Sequence, residues 1–184
     1  MSRWLAALLA ALVLAACQAE RRTTPVASPA PQVQIGATAH FDDVPYIAFA
    51  QVSLERLPRE RLEAAGEARI DGLARRVPAY RLKGQPAAAV RYTVDGTHGW
   101  LAWQPQAVLH ARRELARAAN INPSRIQTLD VTSEVWPDSC LGVATPGQAC
   151  TPEPVPGFRV LLRVDGRTLE YRTDQFNRVV PAQR

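Results

Sequence analysis

"FRVLLRVDGRTLEYRT", residues 158–173, is the stretch that decides how this chain folds. Two alternating runs flank the dipeptide Asp165–Gly166, the strongest short-range signal for a two-residue hairpin of type I′. Such a turn fixes the register, with Val164 opposite Arg167, Leu162 opposite Leu169 and Val160 opposite Tyr171. Those apolar pairs form the expected buried face. Arg159, Arg163 and Arg172, with Glu170 among them, share the other face and are its candidate binding residues. Plain solvation accounts for them too, because exposed charges contribute little.

Upstream, "RIQTLDVTSEVW" (125–136) alternates in the same way, with Leu129, Val131 and Val135 facing one side as a further strand. Before it, "PQAVLHARRELARAANINPS" (105–124) reads as a helix opened by Pro105. It is ended by Asn120, Asn122 and Pro123. Its apolar stripe, Val108, Ala111, Leu115 and Ala118, is narrow and small-sided, so the helix needs a sheet to lie on. From Tyr46 onward, "YIAFAQVSL", "AYRLKG", "AAVRYTV" and "HGWLAW" read as short strands, the last two joined by an Asp95–Gly96 turn. Between them "PRERLEAAG" (58–66) reads as a short helix, with Pro58 at its first position and Gly66 as its cap. The expected fold class is α+β, a helix packed on a small antiparallel sheet and preceded by a short-stranded β-rich region. The expected segments are a signal peptide at 1–16, a tether at 17–39, the β-rich region with its short helix at 40–104, and the helix-plus-sheet module at 105–184.

The loop between the last helix's strand and the hairpin holds "EVWPDSCLGVATPGQAC" (134–150). A loop this long in a compact domain is either functional or tied down. Cys140 and Cys150 are an even pair once Cys17 is set apart, and in an exported protein a disulfide between them is the default. The bond would close a ring of about ten residues and contribute roughly 2.5–3 kcal/mol by chain entropy. Trp136 should then cover one end of the core, its indole N–H needing a partner. The order helix, Trp-Pro-Asp-Ser-Cys-Leu-Gly, Pro-Gly turn, second cysteine, Pro-Gly-Phe hairpin, Tyr-Arg-Thr resembles an uncharacterised C-terminal module of exported bacterial proteins. The resemblance covers about 108–180 and implies a fold but no activity. Where that module often carries a histidine in its last strand, this chain has Arg172.

The chain opens "MSRWLAALLAALVLAACQAE". One arginine, Arg3, precedes an apolar run of about 13 residues, short of the roughly 20 needed to cross a bilayer, and small residues lead to Cys17. The ending Leu-Ala-Ala-Cys resembles the lipobox of bacterial lipoproteins. That resemblance implies cleavage before Cys17, diacylglycerol on its sulfur and an acyl chain such as palmitate on its new N-terminus, which together hold a protein in a membrane. An ordinary signal peptide cut near Ala16, leaving Cys17 a free thiol, is the alternative. Gln18, rather than aspartate, implies the outer membrane in a two-membrane bacterium; in a one-membrane cell the protein would sit on the outer face. The next residues, rich in Pro, Ala, Ser and Thr, cannot bury a core and should form a tether with a reach of about 50 Å.

With Arg3 removed, 21 basic residues face 17 acids, a mature net charge of about +4. The bases are dispersed and only Lys83 is a lysine, which argues against nucleic acid as a partner. No cofactor motif is present, and a Cys-x9-Cys pair without neighbouring histidines matches neither redox nor zinc spacing, so no metal is expected. Ser139 beside Asp138 lacks a Gly-x-Ser-x-Gly elbow. His40, His98 and His110 are scattered, and Asp42–Asp43 is an acid pair that a solvated loop explains. The expected function is therefore a non-catalytic envelope lipoprotein. It would bind or brace a protein, glycan or anionic lipid while its lipid holds the membrane. The alternatives are a protease inhibitor presenting loop 140–150 as an extended bait, and a hydrolase using Ser139 or a histidine.

Overall fold

The computed structural model describes residues 33–57, 59–85, 88–94 and 99–182. Six strands come first: β1 (Thr38–Phe41), β2 (Val44–Val52), β3 (Leu62–Ile70), β4 (Val77–Leu82), β5 (Arg91–Val94) and β6 (Trp100–Pro105). They close a barrel in the order β1-β2-β6-β5-β4-β3. After them come α1 (Gln106–Ala119), β7 (Gln127–Trp136), β8 (Val155–Val164), β9 (Arg167–Asp174) and β10 (Val179–Pro181). The last four strands form an antiparallel sheet, β10-β9-β8-β7. Barrel, helix and sheet belong to one compact unit.

Strands hold 48% of the described residues and helix 14%, so the fold is mostly β. This corrects the α+β expectation of a helix on a small sheet. The part read as loose short strands is a closed barrel, and closure is what removes the edges such strands would otherwise expose. The decisive element is β1, which pairs with β2 (Thr38 opposite Ile47, Phe41 opposite Val44) and with β3 (Ala39 opposite Ile70). Asp42 and Asp43 make its two-residue turn, both at positive φ (49° and 63°), a conformation that aspartate tolerates. The expected tether of 17–39 is therefore too long at its C-terminal end. Cys17 and the signal segment 1–16 lie outside the described residues.

The short helix expected at 58–66 is a second correction. Arg59–Arg61 makes one 3-10 turn, and Leu62–Ile70 is strand. Pairing with both β4 and β1 overrides the helix propensity of Leu-Glu-Ala-Ala, and Gly66, at φ 83°, sits in the bulge between Ala64 and Glu67 instead of capping a helix. Likewise, Val94 lies opposite Trp100, so the β5–β6 connection is longer than a two-residue Asp95–Gly96 turn; residues 95–98 lie outside the described set. Inside the barrel, alanines (Ala39, Ala48, Ala68, Ala79) leave room for Phe41, Tyr46 and Trp103. The Phe41 ring meets Tyr46 edge-on at 4.9 Å, and the Trp103 indole donates to Thr93 Oγ1 at 2.7 Å.

The sheet follows its hairpin. Val164 faces Arg167, Leu162 faces Leu169 and Val160 faces Tyr171, around Asp165 and Gly166, both at positive φ. One face, with Val131, Phe158, Val160, Leu162 and Tyr171, buries Val108, Ala111, Leu115 and Ala116 of α1. Ala118, expected on the helix stripe, is exposed, and Val135, expected inward, is 67% exposed because it lies at the strand end beyond the helix. Asn120 ends α1 in the left-handed conformation, its N–H reaching the Ala116 and Arg117 carbonyls.

Burial pushes the hydroxyls of Tyr46, Tyr92 and Tyr171 above the ordinary tyrosine range; nearby arginines oppose this at Tyr46 and Tyr92, and Glu114 reinforces it at Tyr171. A raised folded-state pKa means that the folded state holds these protons more tightly than the unfolded chain. The stabilisation is complete below the unfolded value near 10 and is lost as pH rises through the folded values. Urea unfolding from pH 7 to 12 should therefore show a stability plateau followed by a fall above about pH 10. Tyr46→Phe should make that fall shallower.

Candidate functional site

The face of the sheet away from α1 is organised around Trp136. The indole is 7% exposed and lies across β8 at Gly157, donating to the Thr173 carbonyl of β9 at 2.8 Å. Only glycine permits this, since a Cβ at 157 would stand 1.8 Å from Thr173 O and 2.8 Å from the indole nitrogen. Arg172 caps the ring, its guanidinium carbon 4.9 Å from the centroid. The same guanidinium donates to the Leu141 and Gly142 carbonyls (3.1 and 3.0 Å), and its Nε meets Glu170 Oε1 at 3.3 Å.

Loop 137–154 is drawn onto this face. A Cys140–Cys150 disulfide closes it, with Cα atoms 5.4 Å apart. Asp138 Oδ1 accepts the N–H groups of Cys140 (2.8 Å) and Gly142 (3.0 Å), Ser139 Oγ accepts that of Thr151 (2.9 Å), and Arg178 donates to the Ser139 carbonyl. Leu141 is fully buried although its φ is 58°, a left-handed conformation that costs a non-glycine residue roughly 1–2 kcal/mol. Burying a leucine side chain contributes about 1.5–3 kcal/mol, which offsets that cost. Sequence reasoning missed the roles of Leu141, Gly157 and Arg178. Of these, only Gly157, inside a strand pattern, carried a local signal of close approach.

The predicted arginine face is thereby divided. Arg172 is committed to Trp136 and the loop. Arg159 lies among Asp130 (3.8 Å), Glu134 (3.9 Å) and Thr132. Arg163 is exposed. Ser139 and Asp138, the proposed nucleophile pair, both accept backbone N–H groups as turn caps. The two sulfurs and Asp138 cluster within 4.8 Å, but bonded sulfurs offer no thiolate to a metal. The bait expectation also meets its geometry: Leu141 is buried, and the exposed tip is a β-turn, Gln148 N–H to Thr145 O at 2.9 Å with Gly147 at φ 81°, not an extended segment. His40 Nε2 lies 3.4 Å from Asp71 on the barrel, His110 is on α1, and His98 lies outside the described residues.

Two surfaces remain open. β7 pairs only with β8, and among the described residues no hydrogen bond reaches the main chain on its other side. Beside its end, a cleft of about 380 Å³ separates Ser133–Val135 and Pro156–Phe158 from the barrel's Phe41, Tyr46 and Arg91. The Arg91 guanidinium faces the Tyr46 hydroxyl there.

Residues 108–182 match the family model of a domain of unknown function (DUF8738). The matched segment runs from the first turn of α1 through β10 and takes in the whole Trp136 clasp, leaving out the barrel. No curated protein and no solved structure matches the chain.

Reduction of the disulfide and four variants test the clasp by chemical denaturation followed by near-ultraviolet circular dichroism. Reducing the disulfide, or replacing both cysteines by serine, should lower stability by about 2–4 kcal/mol. Arg172→Ala should cost about 1–3 kcal/mol and Arg172→Lys nearly as much, because ammonium cannot stack and bridge two carbonyls together. Gly157→Ala should cost about 3 kcal/mol or more.

Proposed function

We propose that this is an exported, lipid-anchored, non-catalytic envelope protein that binds an extended segment of another envelope protein along the free edge of β7. The lipobox-like sequence at Cys17 supports the anchor. The Cys140–Cys150 bond supports an oxidising compartment, since such bonds do not persist among cytosolic thiols.

The observation that carries the binding reading is β7 itself. It is ten residues long in a fold whose other strands are mostly closed into a barrel or paired on both sides. The opposite edge, β10, is three residues long and ends in Pro181, which has no N–H to offer. β7 carries no proline, lysine or arginine, the residues that usually blunt an edge. Its two acids, Asp130 and Glu134, turn toward Arg159, which leaves the edge nearly neutral. Ser133 and Val135 are exposed at its open end. A polypeptide strand adding there would satisfy the outward N–H and C=O groups and cover Val135, which is strand addition to a sheet edge.

Two experiments test the two halves. Mass spectrometry of native protein should find a mature chain starting at a lipidated Cys17, and Cys17→Ser should release the protein from membranes. A chain that begins elsewhere, or an unmodified Cys17, overturns the anchor. A photo-crosslinker at Ser133 should capture one reproducible envelope protein in intact cells, and Val135→Pro, which removes an outward-facing N–H at an exposed position, should abolish that product without changing the melting temperature by more than a few degrees. Crosslinking that persists in the proline variant contradicts edge pairing.

A further inference from the structure

The two faces of β7 differ, and each sets a condition on a strand laid along its free edge. Main-chain groups alternate between the two sides of a strand, and the Asp165–Gly166 hairpin fixes the phase. Val164 and Arg167 close that turn as a hydrogen-bonded pair, so β8 bonds β7 from Gly157 and Arg159, opposite Glu134 and Thr132. Ser133 and Val135 therefore turn their N–H and C=O groups outward. In an antiparallel addition, the residues opposite Thr132 and Glu134 fall in the non-hydrogen-bonded pairs, where side chains stand closest.

The face away from α1 carries Asp130, Thr132 and Glu134 along this edge. Arg159, opposite Thr132 on β8, shows what a base does at that position: it lies 3.8 Å from Asp130 and 3.9 Å from Glu134. Both distances exceed a hydrogen bond, and all three side chains are a third or more exposed. Two carboxylates thus share one guanidinium, and one negative charge is left over. A base opposite Thr132 on an added strand would mirror Arg159 across β7, within reach of both acids. β7 holds no lysine or arginine, so a second copy of this edge supplies no such base.

The other face of the edge is apolar. Val135 is 67% exposed, its cross-strand partner Pro156 is exposed beside it, and the 380 Å³ cleft continues onto Phe41 and Val44 of the barrel. Asp42 and Arg91, of opposite charge, also line the cleft. A large apolar side chain opposite Val135 would cover the Val135–Pro156 pair. A slip of one residue would exchange the faces, setting the base over Val135 and the apolar group against the acids.

We infer that the strand received by β7 alternates basic and large apolar residues, with a lysine or arginine between Asp130 and Glu134 and apolar side chains over Val135 and Pro156. This rests on edge pairing as proposed above and adds the chemical class of the partner segment.

Fluorescence anisotropy of labelled ten-residue peptides on the full chain provides the test. Valine alternating with lysine should bind about three- to tenfold tighter than valine alternating with threonine, and valine with glutamate weakest of all. Threonine alternating with lysine, which keeps the charge but little apolar surface, should lose most of the affinity. Asp130→Asn with Glu134→Gln, both at partly exposed sites, should remove the lysine peptide's advantage without lowering the melting temperature. Val135→Pro should abolish binding of every peptide. Failure of the valine–lysine peptide to bind overturns the inference. If Val135→Pro abolishes binding but lysine and glutamate peptides bind equally, or the lysine advantage survives the double variant, the inference falls and edge pairing stands. Binding that survives Val135→Pro overturns edge pairing itself. A dimer of the chain alone that Val135→Pro dissolves would give the edge to a second copy and overturn both.

Discussion

One indole lying in the gap left by one glycine holds the C-terminal half of this protein together. Trp136 reaches across β8 at Gly157 to a carbonyl on β9, and so bonds three strands with a single ring. Arg172 then seals the ring's outer face and turns two loop carbonyls toward itself. The disulfide makes this arrangement persistent by shortening the loop that must return to it. Without the indole, Arg172 would lose its stacking surface and, with it, the anchor that holds the Leu141 and Gly142 carbonyls of the disulfide loop.

This arrangement also explains why a face that looks cationic in sequence is not a cationic surface in the fold. Arg159 and Arg172 stand directly opposite each other on β8 and β9, a repulsive pairing in isolation. Each is balanced by its own acids, Asp130 and Glu134 for one and Glu170 for the other. What the molecule leaves available lies elsewhere, along the unpaired side of β7. That edge offers main-chain groups.

The hairpin was legible in the sequence because its information is local. A period of two and an Asp-Gly turn determine a register without reference to the rest of the chain, and Leu162 and Leu169 meet as the pattern requires. The ends of α1 were legible for the same reason, through Pro105 and Asn120. The barrel was not. Its closure rests on four residues, Thr38–Phe41, whose pairing partners lie at Val44–Ile47 and at Arg69–Ile70, and no window of sequence contains both. β3 was misread as helix because Ala and Glu favour helix locally, and two ladders outweigh that preference. In the clasp, the cysteine pair and the tryptophan could be named from sequence. The use of Arg172 could not, since a strand pattern gives the face of a side chain but not the loop that folds over it.

The most direct measurement is hydrogen exchange at the Trp136 indole N–H, followed by nuclear magnetic resonance with the disulfide closed and then reduced. The account predicts exchange as slow as that of the central β8 amides in the oxidised protein, and markedly faster after reduction while the β8 amides stay slow. An indole proton that exchanges freely in the oxidised protein, or at the same rate in both states, would contradict it.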